Sequence, residues 1–291
     1  MVNTDLFIIM GLGILSTTLL HIAKAMERHG IEIFDQIRSK VTGQAIEGVE
    51  GGAKKPTIYI VGVILNNLTP IWAILANFFG PPSYLTSMFG LGLIALMIYA
   101  AKVLHEPIQR IEYFGAVVLV TGTLLLGIDG LLRPTLDMST MDEVKSFIFV
   151  GIFIALGLVA IGIALKKNST TVIGIIFGLF AGGCGGLDPV FKGIGQKGGL
   201  PANFLGWFIF LLSFGIGTIA FMVTQWGFAR KANASTLVPS YNSLYVVVPI
   251  LIQAWALPGF GLTWLTWVGM VITIIGIVLM QAFKQPKAGH H

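Results

Sequence analysis

Asp188 and Lys192 stand four residues apart in AGGCGGLDPVFK, inside a stretch that is otherwise apolar. On a helix that spacing brings a carboxylate and an ammonium to one face, within ion-pairing reach. A charge at the depth of a membrane costs about 2.5–3.5 kcal/mol on insertion scales, so such a residue faces a cavity or a partner. Two readings follow. In the first, Asp188 binds a cationic group or carries a proton, and the surrounding glycines and Pro189 loosen the helix so that backbone carbonyls can meet a solute or ion. In the second, the small residues only let helices pack closely, and Asp188 with Lys192 is a neutralised pair at a hydrated rim. If the chain holds a metal at all, Asp188 is the ligand the sequence offers.

Other polar residues occupy apolar stretches at suggestive positions. Asn66 and Asn67 lie mid-stretch, ahead of Thr69 and Pro70, and supply donors and acceptors without a charge. They suit either a polar solute or an interhelical hydrogen bond. Asn242, Tyr245, Pro249 and Gln253 recur at spacings of three and four, hence on one helix face. That stripe lines a pore or joins helices. Gln225 and Trp226 could add a gate, although a Trp near a helix end is also an interfacial anchor. Ser16 and Thr17, with Thr18, could touch a solute or bond their own helix carbonyls. His21 titrates near neutral pH when unperturbed, and it reads first as a structural or interfacial histidine. His105 and Glu106 read as the cap or anchor of a span end.

No catalytic set accompanies these residues. There is no phosphate-binding glycine loop, no His/Cys cluster at metal spacing and no Ser/His/Asp grouping. The one cysteine, Cys184, allows neither an internal disulfide nor a thiolate cluster. The expectation is a protein that is not an enzyme and needs no cofactor.

The elements that must position these groups are membrane helices. Hydrophobic residues make up 55% of the chain and charged residues 11%, against about 25% charged in soluble domains. Mean hydropathy is +0.86. Nine apolar stretches, at 5–26, 57–79, 83–104, 109–128, 145–165, 171–192, 203–229, 236–257 and 263–282, each reach the ~20 residues a spanning helix needs. Lipid offers no partner to backbone groups, so helices are expected, and the long non-alternating runs exclude a barrel. The first stretch lacks a basic n-region and a small-residue cleavage site, so it reads as a span rather than a signal peptide.

Net charge is +5, but its distribution points to topology and not to nucleic acid. With the N-terminus outside, 14 of the 18 Lys and Arg fall on the inner side, from Lys24 and Arg28 to Lys284 and Lys287. Only Arg133, Lys145, Lys192 and Lys197 fall outside. That is a positive-inside pattern. Residues 31–55 form a polar first loop whose front, IEIFDQIRSKV, has the pattern of an interfacial helix. Residues 129–143 form an acidic outer loop. His290 and His291 resemble a tag remnant.

The second half echoes the first. GLGILSTTLLHIAKAMERHG from Gly11 aligns with GLFAGGCGGLDPVFKGIGQK from Gly178, placing His21 opposite Asp188. PSYLTSMFGLGLIALM aligns with ASTLVPSYNSLYVVVP, and FGAVVLVTGTLLLGI with VGMVITIIGIVLM. Spans 1–4 then correspond to spans 6–9, and the odd offset of about five spans between equivalents inverts the second set.

The stretch FFGPPSYLTSMFGLGLIALMIYAAKVLHEPIQRIEYFGAVVLVTGTLLLGI resembles the drug/metabolite transporter superfamily, with Glu106 at its span-ending glutamate. ANASTLVPSYNSLYVVVP resembles the eighth helix of NIPA-type magnesium transporters, which also share nine spans and a polar first loop. The resemblance implies a secondary carrier and, within that subfamily, magnesium. It also implies an acidic residue in the second span, where this chain has Asn66 and Asn67. Magnesium is usually held by carboxylates plus water, so that departure weighs against it.

The expectation is an all-α membrane protein of about nine transmembrane helices in two inverted four-helix repeats joined by a linker helix. Residues 1–128 form the first repeat, 129–170 the outer loop and linker span, 171–287 the second repeat and 288–291 the tail. Its function is expected to be alternating-access transport of a small polar or cationic solute, Mg²⁺ or another divalent cation included. Proton-coupled export of an amino acid or other polar metabolite is the alternative, ahead of a membrane scaffold or a lipid-acting enzyme. The expected setting is the plasma membrane. The expected partners are solute, lipid and optionally a second copy, without nucleic acid.

Overall fold

The computed structural model describes residues 4–30, 55–103, 108–134, 136–230, 232 and 234–281. The first polar loop, His105, Glu106 and the tail lie outside the described residues. Among the described residues ten α-helices follow in order: α1 (Thr4–Gly30), α2 (Lys55–Ala76), α3 (Pro82–Ser87), α4 (Gly92–Lys102), α5 (Arg110–Leu132), α6 (Glu143–Lys167), α7 (Thr170–Gln196), α8 (Phe204–Ala229), α9 (Ala234–Ala256) and α10 (Trp264–Gln281). Among the described residues there is no strand. Seven helical segments among the described residues are long and apolar enough to cross a membrane, and two shorter apolar ones cover Ile60–Ala76 and Trp264–Met280. The outer faces of α5, α6 and α8 expose large apolar side chains such as Val117, Leu156 and Phe221. A surface of that kind is solvated by acyl chains, and the chain is an all-helical, multi-pass membrane protein.

The third apolar stretch is not one helix. It divides into α3, a 3₁₀ turn at Met88–Leu91, and α4. Ser87 and Thr86 both turn their hydroxyls back to the Ser83 carbonyl, at 2.6 and 3.2 Å, a bonding mode that bends helices. The expected outer loop at 129–143 is also shorter than read. Asp129 remains inside α5, which ends at Leu132, and the connection to α6 contains a 3₁₀ turn at Met138–Thr140. Asp137 caps that turn, and its bond from Ser139 holds its carboxyl below the usual range.

Close packing runs along glycine faces. A Cβ on Gly182 would collide with the Tyr241 carbonyl, and one on Gly186 would lie 2.7 Å from the Tyr245 carbonyl and 2.9 Å from Pro249. Residue numbers rise together across this contact, so α7 and α9 run parallel. Gly13 against Leu85 and Gly92 against Thr17 set α1 parallel to α3 and α4. By contrast α7 and α8 are antiparallel, with Gly195 meeting Gly206 and Gly217 meeting Asp188. So are α5 and α10, where Gly115 meets Met280 and Gly122 meets Thr273.

One end of the bundle is fastened by polar contacts. The Asp129 carboxylate accepts from Arg133 (2.7 Å), Thr263 (2.6 Å) and Thr266 (2.7 Å), while Arg133 reaches the Gly261 carbonyl and covers the Phe260 ring. Nearby, Lys197 pairs with Glu143 at 2.7 Å, and the Asp142 N–H donates to the Ala256 carbonyl at 2.9 Å. Leu6 and Ile9 of α1, Ala73 and Ala76 of α2 and Leu85 of α3 pack together near the same end. This end thus gathers the starts of α1, α3, α6, α8 and α10 and the ends of α2, α5, α7 and α9.

Candidate functional site

The carboxylate of Asp188 and the ammonium of Lys192 form an ion pair one turn apart on α7. Lys192 is not at a hydrated rim: its side chain is 0% exposed, while that of Asp188 keeps 20%. The ammonium also sits 4.2 Å from the centre of the Phe214 ring on α8, an arrangement that stabilises a desolvated cation. Opposite the carboxylate, α8 presents Gly217, where an added Cβ would stand 3.5 Å from the Asp188 Cγ. Ser213, whose hydroxyl donates to the Phe210 carbonyl at 2.6 Å, lies beside the same carboxylate.

The helix carrying the pair is continuous from Thr170 to Gln196, without the break expected at Pro189. Pro189 has no N–H, so the Gly185 carbonyl loses its intrahelical donor. Over Gly185 lies the Tyr241 hydroxyl, which a Cβ there would approach to 2.5 Å. Tyr241 stacks with Tyr245 at 6.0 Å, Tyr245 with Phe89 at 3.9 Å, and Phe89 tilts against His21 at 5.0 Å. An aromatic ladder therefore runs from α1 through the 3₁₀ turn to α9, beside the ion pair.

Thr17 and His21 serve the break in the third stretch. The Thr17 hydroxyl donates to the Phe89 carbonyl at 2.5 Å. His21 Nδ1 lies 2.8 Å from the Thr17 carbonyl, which can only accept, so Nδ1 carries the proton. Ser16 is buried on the same helix.

The stripe on α9 faces helices rather than an open channel. Asn242 and Gln253 are buried, Tyr245 is half-buried, and Pro249 lies on Gly186. Neither amide atom of Gln253 has a hydrogen-bond partner. Asn66 is half-buried and Asn67 exposed, the latter donating to the Val63 carbonyl of its own helix at 2.8 Å. Gln225 is exposed, and Trp226 is exposed apart from an edge-on contact with Phe177 at 5.1 Å. The structure thus brings Asp188, Lys192 and Tyr245 together and leaves Asn67, Gln225 and Trp226 on the surface.

Three contributors are absent from the sequence reading. Phe214 has no signal among the many apolar residues of α8. Asn77 donates to both the Pro189 carbonyl and the Gln196 side chain, each at 3.1 Å. Gln196 in turn donates to the Ile74 carbonyl at 3.1 Å. An asparagine beside FFGPPS reads as a loop residue. Among the described residues, no three His, Cys, Asp or Glu come together as a metal site. A crevice between α6, α7 and α9, lined by Phe153, Gly157, Ile176, Phe180 and Leu244, presents only apolar surface.

No protein-family model, curated protein or solved structure matches the chain.

Proposed function

We propose that the chain is a secondary transporter of the plasma membrane, of the drug/metabolite transporter type, moving a small polar solute by alternating access. The observation that carries this reading is the Asp188–Lys192 pair on a glycine-rich helix that keeps Pro189 in its interior. A buried pair is a poor stabiliser, because desolvation offsets much of its attraction. Charges retained at membrane depth commonly mark a solute or ion path.

The proposed architecture is nine crossings in two inverted repeats, with the N-terminus outside and the C-terminus inside. Its support is the pairing of ends. α1 starts at the fastened end where α7 finishes, α2 finishes where α8 starts, α3 starts where α9 finishes, and α5 finishes where α10 starts. The fastened end carries few Lys and Arg, which supports assigning it to the outer side. The hydrogen bonds between α2 and α7 lie at this outer end, whereas Asn67 near the middle of α2 is exposed.

The pair also bears on the solute. A bare cation bound at Asp188 would leave Lys192 without a counter-charge in an enclosed site, and a bare anion would strand Asp188. A zwitterion such as an amino acid can exchange partners with both. Magnesium, which the sequence resemblance implies, is the competing solute. The test is flux of labelled alanine and of Mg²⁺ into vesicles holding the purified chain, with and without a proton gradient. Alanine flux supports the reading, Mg²⁺ flux alone shifts the solute to a divalent cation, and flux of neither refutes transport of these solutes.

A further inference from the structure

We propose that Asn77 and Gln196 form the outer gate of the transport path, a reciprocal amide latch that joins α2 to the turn of α7 carrying the ion pair. This rests on the transporter reading above.

The latch is made from both sides. Asn77, immediately after α2, donates to the Gln196 side chain and to the Pro189 carbonyl, and Gln196 donates back to the Ile74 carbonyl. Both side chains are almost wholly buried, at 1% and 2% exposure. Pro189 adjoins Asp188 and lies three residues before Lys192, so the gate bonds directly to the backbone of the ion-pair turn. A change in Asp188 that moves this turn therefore acts on the latch without an intervening element. Gly193 makes room for it: an added Cβ would stand 3.0 Å from Pro82 and 3.5 Å from the Asn77 Cγ.

The closed latch is incompletely satisfied. The Asn77 side-chain amide oxygen and the Ser83 hydroxyl are buried without a protein partner. Gln253 leaves both amide atoms unpaired and lies one turn beyond Pro249, hence level with the latch along α7. Buried polar groups are nearly always paired in a settled core. These groups take no protein partner in the closed latch, and water admitted on opening can bond all three residues. A gate needs such near-balance, whereas a permanent joint between helices does not.

Two measurements on the full chain in right-side-out vesicles test the gate. The first uses Cys184→Ala with a Ser213→Cys reporter beside the ion pair, labelled from outside with a membrane-impermeant trimethylammonium methanethiosulfonate. Adding Asn77→Ala and Gln196→Ala should speed outer labelling at least tenfold, with the inner rate unchanged. An unchanged outer rate overturns the gate. The second uses Cys184→Ala with Asn77→Cys and Gln196→Cys, which a short bis-methanethiosulfonate can bridge. Alanine flux should fall at least tenfold on bridging and return with dithiothreitol, and flux that persists through the bridge overturns the gate. A wild-type chain that moves neither alanine nor Mg²⁺ overturns the transporter reading instead, while the labelling rates separately decide whether the latch closes the outer path.

Discussion

The Lys192 ammonium lies between the Asp188 carboxylate and the face of Phe214, with none of its side chain exposed. Each charge is tolerable only because of the other. Lys192→Met therefore strands Asp188, and breaking a buried pair from one side costs about 3–5 kcal/mol. The variant should unfold at a clearly lower temperature in detergent. Asp188→Asn combined with Lys192→Met removes both charges and should regain most of that loss. A double variant as unstable as the single one would contradict this account of the pair.

The fastening of α5 to α10 is a second charged centre. Asp129 and Arg133 are each 6% exposed at the side chain, and Asp129 accepts from two threonines as well. Arg133→Ala leaves a buried carboxylate, with an expected loss of about 3–5 kcal/mol. Thr263→Val removes one hydrogen bond to a charged group, worth about 1.5–3 kcal/mol. Chemical unfolding in micelles should rank Arg133→Ala below Thr263→Val, and Thr263→Val below the wild type.

Glycine positions should separate sharply by what they face. Gly182→Ala drives a methyl into the Tyr241 backbone carbonyl, which cannot yield without moving α9. Overpacking of that kind costs about 1–3 kcal/mol or more. Gly215→Ala, with nothing within 4 Å, should be tolerated or slightly stabilising, since alanine favours helix. Equal stability of the two variants in a thermal melt would show that α7 and α9 do not meet there.

Thr17 holds the 3₁₀ turn through its bond to the Phe89 carbonyl. Thr17→Val keeps the shape and leaves that carbonyl without this donor, an expected cost of about 1–3 kcal/mol. Faster amide hydrogen exchange across Met88–Leu91, more than elsewhere in the bundle, is the signature to look for.

Much of the membrane architecture was legible because apolar runs with few charges have few alternatives to helices in lipid. Asp188 and Lys192 were legible for the same reason, since a charge stands out against leucine and glycine and the i,i+4 spacing fixes its neighbour. What the sequence hid depends on partners far along the chain. Asn77 meets Gln196 across 119 residues, and Thr263 meets Asp129 across 134. Asp129 and Arg133 read as loop because nothing local shows that two distant threonines will complete the carboxylate's hydrogen bonds at a helix end. The break at Met88–Leu91 was invisible to apolar run length, which does not register a change from α to 3₁₀ winding. The period puts the α9 stripe on one face, but period alone does not reveal that Tyr245 and Pro249 of that face pack on the glycines of α7.

The central claim is that the ion pair on α7 belongs to a transport path. Counterflow of labelled alanine in reconstituted vesicles, wild type against Asp188→Asn, tests it most directly. The wild type should accumulate label when preloaded with alanine. Asp188→Asn, folded by its size-exclusion profile, should lose at least nine-tenths of that accumulation and any dependence on a proton gradient. Undiminished counterflow in Asp188→Asn would contradict the account.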